Sequence, residues 1–116
     1  MRDLKMEPYK VIFDDLEWQV PSAGVRSKIF REGNKQLRFV EFSSKFVEHE
    51  WCHNSHIGMI LKGELEIDFQ GRVIRYPEGS CLIISDGQKN PHKARTMTPV
   101  VQVFLIEDNL EHETIK

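Results

Sequence analysis

Leu65, Ile67 and Phe69 alternate with Glu64, Glu66 and Asp68. A period of two sends the apolar set to one face and the carboxylates to the other, which predicts a half-buried β-strand. Similar segments recur along the chain. Val25 to Phe30 and Leu37 to Phe42 are two runs separated by a polar tip, residues 31–36, and read as a hairpin. Ile57 to Leu61 is a continuous apolar run, suited to a strand buried on both faces. Gln70-Gly71 closes a tight hairpin onto Arg72 to Tyr76, with glycine supplying the positive φ that such a turn needs. Tyr76-Pro77-Glu78-Gly79 is a turn with proline at its second position. Ser80 to Ile84 is the next strand, ended by Ser85-Asp86-Gly87, and Val100 to Ile106 is the last strong one.

The first twenty residues are less regular. Val11-Ile12-Phe13 reads as an edge strand, Asp14 to Trp18 as a turn or short helical piece, and Pro21-Ser22-Ala23-Gly24 as a turn cluster. No stretch carries a sustained helical stripe. Many short strands, with turns at about the 8–12-residue spacing of all-β folds, predict a sandwich or barrel and not a βαβ fold.

Length and charge narrow the picture. A chain of 116 residues fits one domain. The expected layout is a lead-in over residues 1–20, a core barrel over about 25–107 and an acidic tail over 108–116. With a net charge of -2 there is no basic surplus to neutralise a phosphate backbone, so nucleic acid is not expected as a partner. No apolar run approaches the ~18–20 residues that cross a bilayer, and no membrane association is expected. Met1-Arg2-Asp3-Leu4-Lys5 leads into polar sequence where a signal peptide would turn apolar, so the expected location is cytoplasmic. A reducing compartment argues against a disulfide between Cys52 and Cys81. Cys81, in Cys81-Leu82-Ile83-Ile84, reads as a small buried residue.

Potential ligands concentrate between Glu48 and His56, where three of the five histidines lie. Transition metals take neutral imidazole, thiolate or carboxylate, and a strand delivers such groups to one side at i and i+2. Glu50 and Cys52 would then share one face, and His49 and Trp51 the other. Each has a plainer reading beside the functional one. Cys52 is also suited to being a reactive thiol or a small buried residue, Glu50 a solvated strand charge, His53 a loop residue and His49 an outward one. His112, in Glu111-His112-Glu113, reads as solvated. Trp18, Trp51, Phe104 and the Phe39/Phe42/Phe46 group read as core or dimer contacts. There is no glycine-rich phosphate loop and no serine-nucleophile motif.

The run Ile57-Gly58-Met59-Ile60-Leu61-Lys62-Gly63-Glu64-Leu65-Glu66-Ile67 resembles the heart of the first cupin motif. In that family two metal-binding histidines one residue apart precede a glutamate, and a glycine follows after six more residues. The second motif is a glycine, five residues, Pro-x-Gly and a nearby histidine; Gly79, Ser85-Asp86-Gly87 and His92 resemble it. The resemblance covers roughly residues 37–107. It implies an all-β, double-stranded β-helix (jelly-roll) barrel, often dimeric, with a site in the barrel mouth. The chain departs from the pattern at the site itself. His56 stands where the family has its glutamate, Ser85 replaces the proline, and the histidine pair becomes Glu50 and Cys52, or His49 and Trp51 under a longer gap.

The expected metal-ligand set is therefore His56, His92, Cys52 and Glu50, with zinc or iron suiting the softness of sulfur. The leading functional reading is a small barrel binding a metal ion, a small polar metabolite, or both, in its mouth, with a homodimer as the expected assembly. It could be an enzyme of unspecified reaction. The alternatives are a non-catalytic small-molecule sensor or binding module, and a degenerate barrel serving as a dimerisation scaffold. No catalytic residue is named by the sequence, and without metal the histidines remain able to bind an anion or move a proton.

Overall fold

The computed structural model describes residues 7–109. Residues 110–116, which hold most of the expected acidic tail and His112, lie outside the described residues, as do residues 1–6. Among the described residues nine strands follow a short 3₁₀ turn, Phe13–Asp15. They are β1 (Gln19–Ser22), β2 (Val25–Glu32), β3 (Lys35–Ser43), β4 (His56–Lys62), β5 (Leu65–Asp68), β6 (Val73–Tyr76), β7 (Cys81–Ile84), β8 (Lys93–Thr96) and β9 (Val100–Asp108). All pairings are antiparallel. A six-stranded sheet runs β1-β2-β3-β9-β4-β7, and a three-stranded sheet runs β6-β5-β8. The chain thus forms the all-β jelly-roll barrel that its strand pattern predicts.

The core lies between the sheets. Val25 and Val40, Ile60, Leu82 and Ile84, and Val101, Val103 and Leu105 come from the large sheet, and Leu65 and Ile67 from the small one. β5 shows the expected alternation, with Leu65 and Ile67 each 3% exposed. Gln70 and Gly71 both take positive φ, as a two-residue hairpin turn requires. The β2–β3 hairpin closes around Gly33-Asn34 and extends each predicted strand to Glu32 and from Lys35. Gly63 explains one motif position physically. Its φ is +79°, and a Cβ there would collide with the carbonyl of Val100.

Four local expectations are corrected. Residues 11–13 form no strand; Phe13 leaves the chain path to pack on Phe39 and Phe104, and the edge strand begins at Gln19. The turn predicted over Pro21–Gly24 is shorter, because Pro21 and Ser22 belong to β1, an edge position where a missing N–H is tolerated. β4 is not buried on both faces: Gly58 and Ile60 point inward, but Ile57, Met59 and Leu61 are exposed. Cys81 is exposed for the same reason, since it lies opposite Met59 on the outer face of edge strand β7.

Candidate metal centre in the barrel mouth

Inward alternation continues past the core into the mouth. His56 opens β4 with the parity of Gly58 and Ile60. Glu107 follows Val101, Val103 and Leu105 along β9, and Arg38 precedes Val40 on β3. Registers Leu37↔Ile106 and Ile57↔Ile106 bring β3, β9 and β4 side by side at this level. Cys52 and His92 arrive differently. They form an isolated antiparallel bridge, Cys52 N–H to His92 O at 2.8 Å and His92 N–H to Cys52 O at 3.0 Å. Glu48 holds the same loop against β8 by accepting the Ala94 N–H at 2.7 Å. Gly87 permits close approach of this loop, because a Cβ there would strike the backbone carbonyls of His53 and Asn54.

The outcome is a compact donor group. The ligand atoms of Cys52, His56 and His92 all lie within 4.8 Å of one another. Cys52 Sγ is 3.7 Å from His56 Nε2. Bonds of about 2.3 Å to sulfur and about 2.05 Å to nitrogen, meeting at the tetrahedral angle, put those atoms about 3.6 Å apart. His56 Nδ1–H donates to Glu107 Oε2 at 2.7 Å, and His92 Nδ1–H donates to the Asn90 carbonyl at 3.0 Å. Both acceptors lack a proton to give, so each imidazole carries its hydrogen on Nδ1 and turns Nε2 into the group. His92 is 3% exposed, and among the described residues its Nε2 finds no hydrogen-bond partner. A buried, unpartnered ring nitrogen aimed at a sulfur and a second imidazole nitrogen fits a metal ion, as does the softness of this donor set.

Glu107 orients His56 and is itself held firmly. Arg38 donates to it twice, at 2.9 and 2.7 Å, and Gln36 once, at 2.9 Å. Burial alone would raise its pKa, but the hydrogen bonds from His56 and Arg38 outweigh that and bring it to about 2. For His56, burial disfavours the charged ring, yet its contacts with Cys52 and Glu107 lift the pKa to about 9. Burial pushes the Cys52 thiol up, and the two imidazoles with the Asn54 backbone overcome it, leaving about 6. Without a metal, these shifts favour a thiolate at Cys52 beside a His56 ring that carries a second proton on Nε2, the position a metal would take. His92 is also raised, burial opposing and the thiolate and the Asn90 carbonyl prevailing.

Glu50, expected beside Cys52, is exposed and lies outside the donor group. The reason is local: no strand covers residues 44–55, so i, i+2 alternation does not carry from Cys52 back to Glu50. His49 is exposed as well, and His53 lines an outer cleft and not the donor group. Trp51 packs under the Lys93 ammonium, 4.7 Å from the ring centroid. Sequence reasoning missed Glu107 and Arg38. The signal was present, because the alternation of Val101, Val103 and Leu105 extends inward to Glu107.

No family model matches the sequence, and no curated protein matches it either. Solved structures do. KdgF from Halomonas sp. superposes with a TM-score of 0.68 at 21% identity, covering 83% of this chain and 91% of that one. An RmlC-like cupin from Shewanella frigidimarina gives a TM-score of 0.71 at 7% identity, covering 93% and 96%. The fold is that of a cupin. The polyketide cyclase RemF from Streptomyces resistomycificus is a further neighbour of this cupin barrel, with a TM-score of 0.70 at 18% identity over 85% and 78%. Identities this low carry the fold and leave the chemistry to the residues described above.

Proposed function

We propose that the cupin barrel holds one transition-metal ion through Cys52, His56 and His92, and binds a small molecule beside it in the barrel mouth. The observation that carries this reading is the paired tautomer arrangement, in which two imidazoles give up Nδ1–H to oxygen acceptors and direct Nε2 toward one sulfur. Glu107 and the Asn90 carbonyl are the outer partners that metal-bound histidines usually have. Zinc or ferrous iron suits one sulfur and two nitrogens. Three protein donors leave a coordination position for water or a ligand, as in catalytic sites. When bound, such an ion polarises a ligand oxygen or lowers the pKa of a bound water. The chain's own residues do the rest: Arg38 and Gln36 fix Glu107, Glu107 fixes the His56 ring, and the Cys52–His92 bridge fixes the other two donors.

Glu50 is left out of this ligand set, since its side chain is exposed. The homodimer belongs to the same proposal. Ile57, Met59, Leu61 and Ile106 are exposed on the outer face of the large sheet, and Ile83 on edge strand β7 is 72% exposed. An apolar face of this kind on a soluble chain supports a partner, and an isologous contact with a second copy is the simplest one. A metal-free barrel that only binds a small molecule is the second reading, supported by the thiolate–imidazolium pair, which satisfies Cys52 and His56 without an ion. Metal analysis of protein purified without an affinity tag separates the two. The proposal expects about one ion per chain, lost in His56→Ala and in His92→Ala. Metal-free protein that cannot be reconstituted would overturn it.

A further inference from the structure

The donor group borders a half-open chamber of about 190 Å³ in the barrel. Its wall is built from Phe42, Leu65, Ile67, Leu82, Ile84 and Leu105, carried by both sheets. The polar side chains that border it are mostly spoken for. Arg38 is bound twice by Glu107, and Glu48 accepts the Ala94 N–H. What faces inward is the donor group, with His92 buried and its Nε2 without a partner among the described residues. A molecule rich in hydroxyls or phosphate entering this chamber would exchange its water mostly for carbon surface and find, besides the donor group, only the Asn54 amide to replace its lost hydrogen bonds. Apolar cavities of about 150 Å³ with walls of this kind accommodate a benzene ring. The polar surroundings lie instead in a larger outer cleft of about 530 Å³, which shares Arg38 and Asn54 with the chamber.

We propose that the chamber receives the apolar body of a small ligand, a single ring or a short branched chain, whose donor atom is held at Cys52, His56 and His92. The ligand is therefore an amphiphile with one polar head and not a polyhydroxylated or phosphorylated metabolite. The position of the head rests on the metal reading given above; the occupancy of the chamber by an apolar body does not.

The test uses the full chain in two forms. Cobalt-loaded protein, its metal content measured first, is titrated calorimetrically with benzohydroxamate, acetohydroxamate and glucose 6-phosphate. Benzohydroxamate is expected to bind at least about tenfold more tightly than acetohydroxamate, because only its ring fills the chamber. Glucose 6-phosphate is expected to bind no better than acetohydroxamate. Metal-free protein is expected to gain thermal stability with benzene. Ile67→Phe on β5 and Ala94→Leu on its paired neighbour β8, each of which fills the chamber from the small sheet, should abolish both effects while leaving metal content unchanged; either variant that folds suffices. Equal binding of the two hydroxamates, or tighter binding of the sugar phosphate, would overturn the proposal with the metal reading intact. Benzene stabilisation in a chain that takes up no cobalt would uphold the chamber and defeat the metal reading.

Discussion

Glu107 accepts hydrogen bonds from His56, Arg38 and Gln36 in the mouth, and it was not singled out from sequence. It sits at the far end of β9, 51 positions from His56, and only the strand register brings them to 2.7 Å. A motif spacing singles out His56 and His92 in the sequence, whereas the segment holding Glu50 is loop, with no fixed parity to say where that side chain points. Replacing Glu107 with Gln keeps the size and removes the charge. The His56 pKa should fall from about 9, read by NMR titration of the metal-free chain, and metal affinity should drop by about 10–100-fold. Glu50→Gln should change neither.

The same residues set a pH dependence for the metal-free chain. Glu107 is lowered from 4.5 to about 2, so its stabilisation is complete above 4.5 and is lost as pH falls toward 2. Glu107→Gln should flatten that acid limb in thermal melts. His56 is raised, so its stabilisation is present below 6.5 and is lost as pH rises through about 9. Cys52 is lowered from 9.0 to about 6, so its contribution grows over nearly the same interval. The two trends oppose, and stability between pH 6 and 9 should be nearly level. Cys52→Ala removes the thiolate and with it the strongest support of the raised His56 pKa, so the His56 pKa should fall from about 9 in the metal-free chain. An unchanged His56 titration by NMR would contradict the assignment.

Among the elements, period two served best where one face is charged. β5 was readable because Glu64, Glu66 and Asp68 mark its outer side. β4 was misread because Ile57 to Leu61 is apolar at every position but Gly58, and such a run does not declare that one face is uncovered. The strands also depend on particular backbone geometry. Gly63 turns β4 toward β5 at φ +79° against the Val100 carbonyl. Gly63→Ala should cost about 1–3 kcal/mol in denaturant unfolding, through strain at a positive φ. An unchanged midpoint would show that the turn relaxes freely.

For the whole molecule, the barrel was legible from strand spacing and turn signals, while its outer surface was not. The 3₁₀ segment lays Phe13 over Phe39 and Phe104, so part of the large sheet's outer face is covered by the chain itself. Among the described residues nothing covers the β4–β7 end, and its exposed Ile57, Met59 and Ile83 are the basis for expecting a homodimer. Sedimentation should find a dimer, and Ile83→Lys should convert it to a monomer with unaltered metal content. A wild-type chain that sediments as a monomer at high concentration would remove this part of the account.

The central claim is that Cys52, His56 and His92 meet on one ion. Cobalt substitution reads all three donors at once by absorption spectroscopy. The account predicts stoichiometric uptake, visible bands of low-symmetry cobalt, and a near-ultraviolet thiolate-to-cobalt transition that disappears in Cys52→Ser. The visible bands should shift or vanish in His56→Ala and in His92→Ala. Cobalt bound with no thiolate transition, or with a spectrum indifferent to both histidines, would contradict it.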